Sequence, residues 1–90
     1  MDFNHFLTSY MPDPSIGSKV HFQNMLEQAV LAEKLGYKTV SIPEHHLVNL
    51  LMMPAPLQMA VKIATLTKKI NISTSVVVLP LHNMRTFAGE

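Results

Sequence analysis

The chain has 90 residues, of which 48% are hydrophobic and 14% are charged, with a net charge of +1 and no cysteine. This length allows one small domain, and the missing cysteines exclude disulfides, thiolate metal sites and cysteine nucleophiles. Without a run of Lys or Arg, nucleic acid is not expected as a partner. The longest apolar run, residues 76–81, is too short to span a membrane, and no basic signal-peptide region opens the chain. We therefore expect a soluble, cytoplasmic protein with surplus apolar surface.

The first part of the chain predicts a strand, a loop and a helix. Residues Phe3–Thr8 are rich in strand formers, and the two prolines that follow predict a loop. From Lys19 to Leu35, apolar residues recur every three or four positions, which predicts an amphipathic helix that covers a sheet. Ser18 or Ser15 is the expected N-cap, and Gly36 is expected to end the helix in a left-handed conformation.

A second strand is predicted over Tyr37–Ile42, where apolar and hydroxyl-bearing residues alternate. Pro43 ends it, because proline donates no ladder hydrogen bond. Residues 47–56 then predict a loop that is unusually apolar. Such a loop either lines a ligand pocket or packs on the chain or on a partner subunit, and the two interpretations are compatible.

The last part of the chain predicts a second helix, a third strand and the start of a further helix. The second helix covers Leu57–Lys69, and the third strand covers Ile70–Leu79 with a buried valine run. Thr86–Glu90 is expected to begin another helix. The buried stripe of the second helix is predicted to comprise Leu57, Ala60, Val61 and Ala64, with Leu66 or Thr67.

Strands that alternate with helices predict an α/β fold with a parallel sheet. In such folds the carboxyl ends of all strands lie at one edge, where ligands bind. We therefore expect polar groups from three separate parts of the chain to meet at that edge. They are Thr8–Tyr10, Glu44–His46, and Ser73–Ser75 together with His82 and Asn83.

The Glu44-His45-His46 sequence is the main candidate site. His45 is either a general base or hydrogen-bond partner of a ligand, or a structural histidine, since imidazole changes charge near neutral pH. A metal site is not expected, because adjacent residues of an extended segment point to opposite faces. Glu44 either holds the tautomer of a neighbouring imidazole or pairs with an arginine elsewhere. His82, in a loop, is expected to be an ordinary surface residue.

Ser41–Leu47, taken together with Ser75–Asn83, resembles the amino-terminal part of the bacterial luciferase-like monooxygenases, and the similarity extends over essentially the whole chain. The resemblance implies a (β/α)8 TIM-type barrel, of which residues 1–90 would form a single partial domain with the first three strands and two helices. It also implies reduced FMN and O2 as co-reactants and a small organic substrate, such as an aldehyde or an alkane sulfonate. A deazaflavin-dependent dehydrogenase is an alternative within the same superfamily.

The same resemblance implies roles for individual residues. His45 maps to the catalytic position in the flavin and substrate pocket, and Glu44 is expected to be catalytic together with it. The Ser75–Val76 bond maps to a cis peptide that lies against the flavin ring. These two residues, with Tyr10 at the same edge of the sheet, are the expected cofactor contacts.

A complete family member is several times longer than this chain, so the remaining strands of a barrel are absent. Three strands and two helices leave an open sheet face and free strand edges, which invite pairing with another chain. We therefore expect a homo-oligomer that covers the open sheet. The alternative function is a non-catalytic remnant or a homo-oligomeric interaction module.

Overall fold

The structure, a computed structural model, describes residues 1–90. Two short 3-10 turns, Pro14–Ile16 and Leu79–Leu81, accompany the regular elements. None of the helices combines the length and the apolar character needed to cross a lipid bilayer. The regular elements are, in chain order, β1 Asn4–Phe6, α1 Gly17–Lys34, β2 Thr39–Ile42, β3 His45–Val48, β4 Leu51–Met53, α2 Pro56–Leu66, β5 Asn71–Thr74 and α3 Met84–Phe87.

A parallel three-stranded sheet with the order β1-β2-β5 forms the centre of the fold. His5, Val40 and Ile72 are neighbours across the three strands. The predicted α/β fold with a parallel sheet is therefore confirmed. The strands are shorter than predicted, and the backbone hydrogen bonds between them extend only one residue further, to Leu7, Lys38 and Ser75.

One face of the sheet packs against α1 and α2 and forms the core. Val40 and Ile42 of the central strand are completely buried, and Ile72 of β5 packs against the same cluster. Burial of this apolar surface is the main stabilising contribution to such a fold. The buried core comprises Leu7, Met25, Leu26, Ala29, Ala32, Val40, Ile42, Met53, Met59, Ile63 and Ile70.

The opposite face of the sheet carries the alternate residues, and most of these are polar. Asn4 donates its side-chain N–H to the Ser41 hydroxyl at 2.8 Å, and that hydroxyl donates to the side-chain Oδ1 of Asn4 at 3.1 Å. Thr39 and Asn71 occupy the same register row as Asn4. The uncovered face is thus mostly hydrophilic, and the surplus apolar surface lies elsewhere.

The beginning of α1 differs from the prediction. Neither Ser18 nor Ser15 caps it; Ile16 occupies the N-cap position without a side-chain hydrogen bond. Instead, Asp13 caps the preceding 3-10 turn by accepting the Ser15 backbone N–H at 2.9 Å. Hydrogen bonds from Ser15 hold the pKa of Asp13 below its usual value. The 3-10 turn leads directly into α1, so the side-chain cap lies before the turn and not at the first residue of the helix.

The end of α1 is as predicted. Gly36 has a φ of +87°, in the left-handed region that favours glycine. Its N–H donates to the Glu33 carbonyl at 3.1 Å, and the Tyr37 N–H donates to the Ala32 carbonyl at 3.0 Å. These paired bonds are typical of a glycine-terminated helix.

Between β2 and α2 the predicted apolar loop is an antiparallel hairpin formed by β3 and β4. Two backbone bonds join this hairpin to the segment after β1: Met11 N–H to Leu50 O at 2.8 Å, and Met52 N–H to Ser9 O at 2.9 Å. Near its tip, Leu47 has a φ of +55° and a fully exposed side chain. The hairpin escaped prediction because no glycine or Asn-Gly pair marks its turn.

The buried face of α2 also differs from the prediction. Pro56, Met59 and Ile63 are buried, whereas Val61 is 67% exposed and Ala64 is exposed. Gln58, Lys62 and Thr65 form one polar, exposed side of the helix, and the predicted stripe lay beside the buried side instead of on it. It also ends at Leu66 instead of Lys69.

The valine run after β5 is not the predicted buried strand. β5 ends at Thr74, the Ser75–Val76 peptide bond is cis, and a 3-10 turn begins at Leu79. Val76 is 64% exposed. β2, the only neighbour of β5 in the sheet, ends at Ile42, so residues beyond Ser75 have no strand to pair with.

Candidate active site

A buried carboxylate, that of Glu44, lies at the carboxyl edge of the sheet directly after β2. Its Oε1 atom accepts hydrogen bonds from Nε2 of His46 at 2.6 Å and from Nε2 of His82 at 2.9 Å. Its Oε2 atom accepts the backbone N–H of Val78 at 2.7 Å. Glu44 therefore joins the end of β2, the hairpin and the segment that follows β5.

Burial is the largest single influence on the pKa of Glu44 and raises it. The hydrogen bonds from His46, Val78 and His82 together outweigh burial, so the pKa lies below the ordinary value of 4.5. Glu44 is thus ionised at neutral pH and accepts hydrogen bonds on both oxygens. An ionised acceptor strengthens each of these bonds.

His82 was predicted to be an ordinary surface residue, and that prediction is wrong. Its side chain is only 25% exposed, and it packs against Phe87 of α3 with ring centroids 5.0 Å apart. Asn83 is the N-cap of α3, and its side chain accepts the Arg85 N–H at 3.0 Å. His82 therefore lies in an ordered connection between β5 and α3. Its position after a strand of the parallel sheet could have indicated this, whereas the composition of the loop could not.

His45 is separate from this hydrogen-bonded cluster. It lies at the start of β3 opposite Met53, and it lines an open groove of about 950 Å³ together with His46. Met11, Leu51 and Leu81 contribute much of the apolar lining of the groove. The groove thus presents two imidazoles in an apolar setting.

The other predicted site residues lie outside this groove. Ser75 donates its N–H to the Ile42 carbonyl at 2.8 Å and is exposed, as is Val76. Tyr10 is half-exposed and forms an isolated bridge to Leu51 of the hairpin. The structure brings Glu44 together with His46, His82 and the segment that begins at Ser75, whereas His45 and Tyr10 belong to the hairpin side.

The cluster is a hydrogen-bonding arrangement. Nε2 of His46 and Nε2 of His82 both lie at hydrogen-bond distance from the same oxygen of Glu44. No group of three or more His, Cys, Asp or Glu is arranged to hold a metal ion. What it does chemically is to fix two imidazoles and one backbone amide beside an open groove.

The family model for luciferase-like monooxygenases matches residues 1–90. The chain belongs to the luciferase-like monooxygenase family. Two relatives illustrate the match. The chain is 34% identical over 90 residues to the uncharacterized protein y4vJ of Sinorhizobium fredii, covering all of this chain and 26% of that protein. It is 30% identical over 80 residues to the alkanal monooxygenase alpha chain of Photorhabdus laumondii, covering 89% of this chain and 22% of that one.

Solved structures show the same fold. The luciferase-like chain matches the oxygenating constituent of 3,6-diketocamphane monooxygenase of Pseudomonas putida, solved in complex with FMN, with a TM-score of 0.90 and 24% identity. That match covers 98% of this chain and 24% of the other. Apo-MsnO8 matches with a TM-score of 0.83 and 26% identity over 97% of this chain and 26% of that one.

These comparisons confirm the resemblance inferred from the sequence. The luciferase-like chain spans about a quarter of the length of the relatives it matches. Its parallel sheet and helices correspond to a fragment of the monooxygenase fold.

Proposed function

We propose that this luciferase-like chain forms the first part of a (β/α)8 flavin-dependent monooxygenase that uses reduced FMN and O2 to oxidise a small organic substrate. The observation that carries the proposal is the Glu44 cluster at the carboxyl edge of a parallel sheet. This is the edge where α/β folds bind ligands. Family membership and the FMN complex of the structural neighbour support the same chemistry.

The residues of the chain fit a flavin. Ser75 and Val76 are exposed, and Ser75 is small, so a flat ring can approach this part of the backbone closely. Tyr10, which bridges to Leu51 of the hairpin, offers an exposed aromatic side chain and a hydroxyl. When bound, reduced flavin supplies the electrons that activate O2. We assign Ser75, Val76 and Tyr10 as contacts of the cofactor.

His45 is assigned the catalytic role in the groove. Its imidazole is partly exposed there, so it can hold or transfer a proton at the edge of a bound substrate. The apolar lining by Met11, Leu51 and Leu81 suits a small apolar organic molecule. The alkanal monooxygenase relative supports this substrate class.

A second candidate function is a homo-oligomeric module without turnover. It is favoured by the large apolar side chains that the hairpin exposes, among them Leu47, Val48 and Leu50. Contiguous exposed apolar surface is typical of an interface between protein chains. A homo-oligomer is also compatible with the monooxygenase proposal, so flavin binding discriminates between the two functions.

The deciding experiment titrates the purified chain with oxidised and with reduced FMN and follows absorbance and fluorescence. The monooxygenase proposal expects saturable binding that His45→Ala weakens. His5→Ala is the matched control, because His5 lies on β1 and contacts Gln28 of α1 at 3.4 Å, away from the groove. A deazaflavin cofactor titrated in parallel tests the alternative dehydrogenase.

Absence of saturable FMN binding would contradict the monooxygenase proposal and favour the module. Size-exclusion chromatography with light scattering then measures the assembly. A monomer at high protein concentration would exclude the homo-oligomer.

A further inference from the structure

We propose that Glu44 is a positioning residue, whose single carboxylate fixes the segment from Ser75 to His82 and holds His46 and His82 as Nε2–H tautomers. The link to flavin binding rests on the monooxygenase function proposed above. The tautomers and the anchored segment follow from the geometry of the chain itself.

Burial separates Glu44 from direct chemistry. Its side chain is 0% exposed, and it does not line the groove that His45 and His46 share. A group that touches neither substrate nor cofactor acts through its neighbours. The neighbours of Glu44 are the two imidazoles and the Val78 amide.

The protonation of the imidazoles follows from what a carboxylate can do. An ionised carboxylate only accepts hydrogen bonds, so Nε2 of His46 and Nε2 of His82 both carry a hydrogen. In the neutral form of each ring, Nδ1 is then the free acceptor. Glu44 thereby selects which nitrogen of His46 is available to accept a proton.

The segment after β5 has anchors near both of its ends. Ser75 donates its N–H to the Ile42 carbonyl, and Val78 donates its N–H to the Glu44 carboxylate. Both acceptors flank Pro43, so the end of β2 holds the segment that is assigned to the flavin. His82 adds a further bond to the same carboxylate. Glu44 thus accepts two of the three hydrogen bonds that join residues 75–82 to the rest of the chain.

The substitution Glu44→Gln tests this arrangement because the amide keeps the size of the side chain. It replaces one acceptor oxygen by an NH2 donor. In one orientation of the amide its NH2 group faces Nε2 of His46 and His82, and in the other it faces the Val78 N–H. In both cases a donor faces a donor. Glu27→Gln is the matched control, since Glu27 is exposed on α1 and accepts only from Gln23 there, at 3.2 Å.

The first measurement is the 15N spectrum of the histidine rings at neutral pH, with no flavin present. In the unmodified chain we expect His46 and His82 to carry the hydrogen on Nε2. In Glu44→Gln we expect at least one of the rings to lose that fixed tautomer, and the Val78 amide to exchange with solvent about tenfold faster or more. Glu27→Gln keeps the spectrum of the unmodified chain.

Two results would overturn the proposal. One is an unmodified chain in which either ring carries its hydrogen on Nδ1 alone. The other is a folded Glu44→Gln chain whose ring spectra and Val78 exchange are unchanged. If Glu44→Gln does not fold, the ring spectra of the unmodified chain decide the question alone.

The second measurement links the cluster to the flavin. We expect Glu44→Gln to raise the Kd for FMN about tenfold and Glu27→Gln to leave it unchanged. Equal Kd values for Glu44→Gln and the unmodified chain would overturn the link. If the unmodified chain binds no FMN, the proposed monooxygenase function fails, whereas the ring spectra still decide whether Glu44 positions its neighbours.

Discussion

The carboxylate of Glu33 accepts the backbone N–H of Lys69 at 2.6 Å, although 36 positions separate the two residues along the chain. The same oxygen accepts the N–H of Ile70 at 2.9 Å, and the Lys68 N–H lies 2.9 Å from it as well. Hydrogen bonds from Lys69, Ile70 and Lys68, in that order of size, hold the pKa of Glu33 below its ordinary value. One side chain at the end of α1 thus orders the turn that leads into β5.

Replacing Glu33 by alanine is expected to destabilise the chain, because three backbone amides lose their acceptor at once. We expect a Tm lower by about 5 °C, a shift typical of one lost interaction in a domain of this size. Thermal unfolding followed by circular dichroism measures it. Glu27→Ala, on the same helix, is the control and should leave the Tm within about 2 °C. Equal Tm values for the two variants would show that the bonds to Glu33 contribute nothing.

Acid is expected to weaken the fold through Glu33 and Glu44. Both carboxylates have a pKa below the ordinary value of 4.5 in the folded chain. Their stabilisation is therefore complete above the unfolded-state pKa and is lost as the pH falls through the lower, folded-state pKa. Urea unfolding at a series of pH values should show a free energy of unfolding that falls below about pH 4.5.

The same series on Glu33→Gln provides the control for this pH dependence. The variant has one carboxylate fewer whose pKa is lowered, so its stability should fall less steeply in acid. A stability that rises on acidification in the unmodified chain would contradict the assigned direction of both pKa shifts.

The packing of α2 can be tested with two apolar residues of the same helix. Ile63 is completely buried in the core, so Ile63→Ala should lower the free energy of unfolding by about 2–5 kcal/mol. Val61 faces solvent, so Val61→Ala should change it by no more than about 0.5 kcal/mol. Urea unfolding of both variants measures the difference. If Val61→Ala destabilised the chain more than Ile63→Ala, the buried side of α2 would be the one predicted from the sequence.

Leu47 offers a stabilising substitution. Its φ of +55° is costly for leucine, and its side chain contributes no burial because it is fully exposed. Asparagine tolerates this backbone conformation, so Leu47→Asn should raise the free energy of unfolding by up to about 1 kcal/mol. Leu50→Asn is the control, since Leu50 is also a leucine of the hairpin, half-exposed where Leu47 is fully exposed, and has no positive φ. A loss of stability in Leu47→Asn would show that the leucine side chain itself stabilises the hairpin.

Much of the framework was predictable from local pattern. The end of α1 at Gly36 and the alternation of the three parallel strands with α1 and α2 follow from a glycine, two prolines and apolar spacing, all of which act within a few residues. Placing Glu44 at the ligand edge of the sheet required only that order. The identity of the family followed from the motif around it.

The contacts that complete the site were not predictable in the same way. Glu33 and Glu44 both accept backbone N–H groups that only the folded chain brings near them. Every residue except proline has the same backbone N–H, so a bond to that group produces no periodicity or motif in the sequence. The role of His82 was missed because its partner is a carboxylate 38 positions away along the chain.

The central position of β2 has a consequence for how the chain folds. Thr39 pairs with Asn4 on one side and with Asn71 on the other, and an entire helix separates β2 from each partner along the chain. Neither half of the sheet can form until a long loop has closed, and the loss of chain entropy precedes the gain from pairing. We expect folding to be slow for a domain of this size, with the rate set by the closure of these two loops.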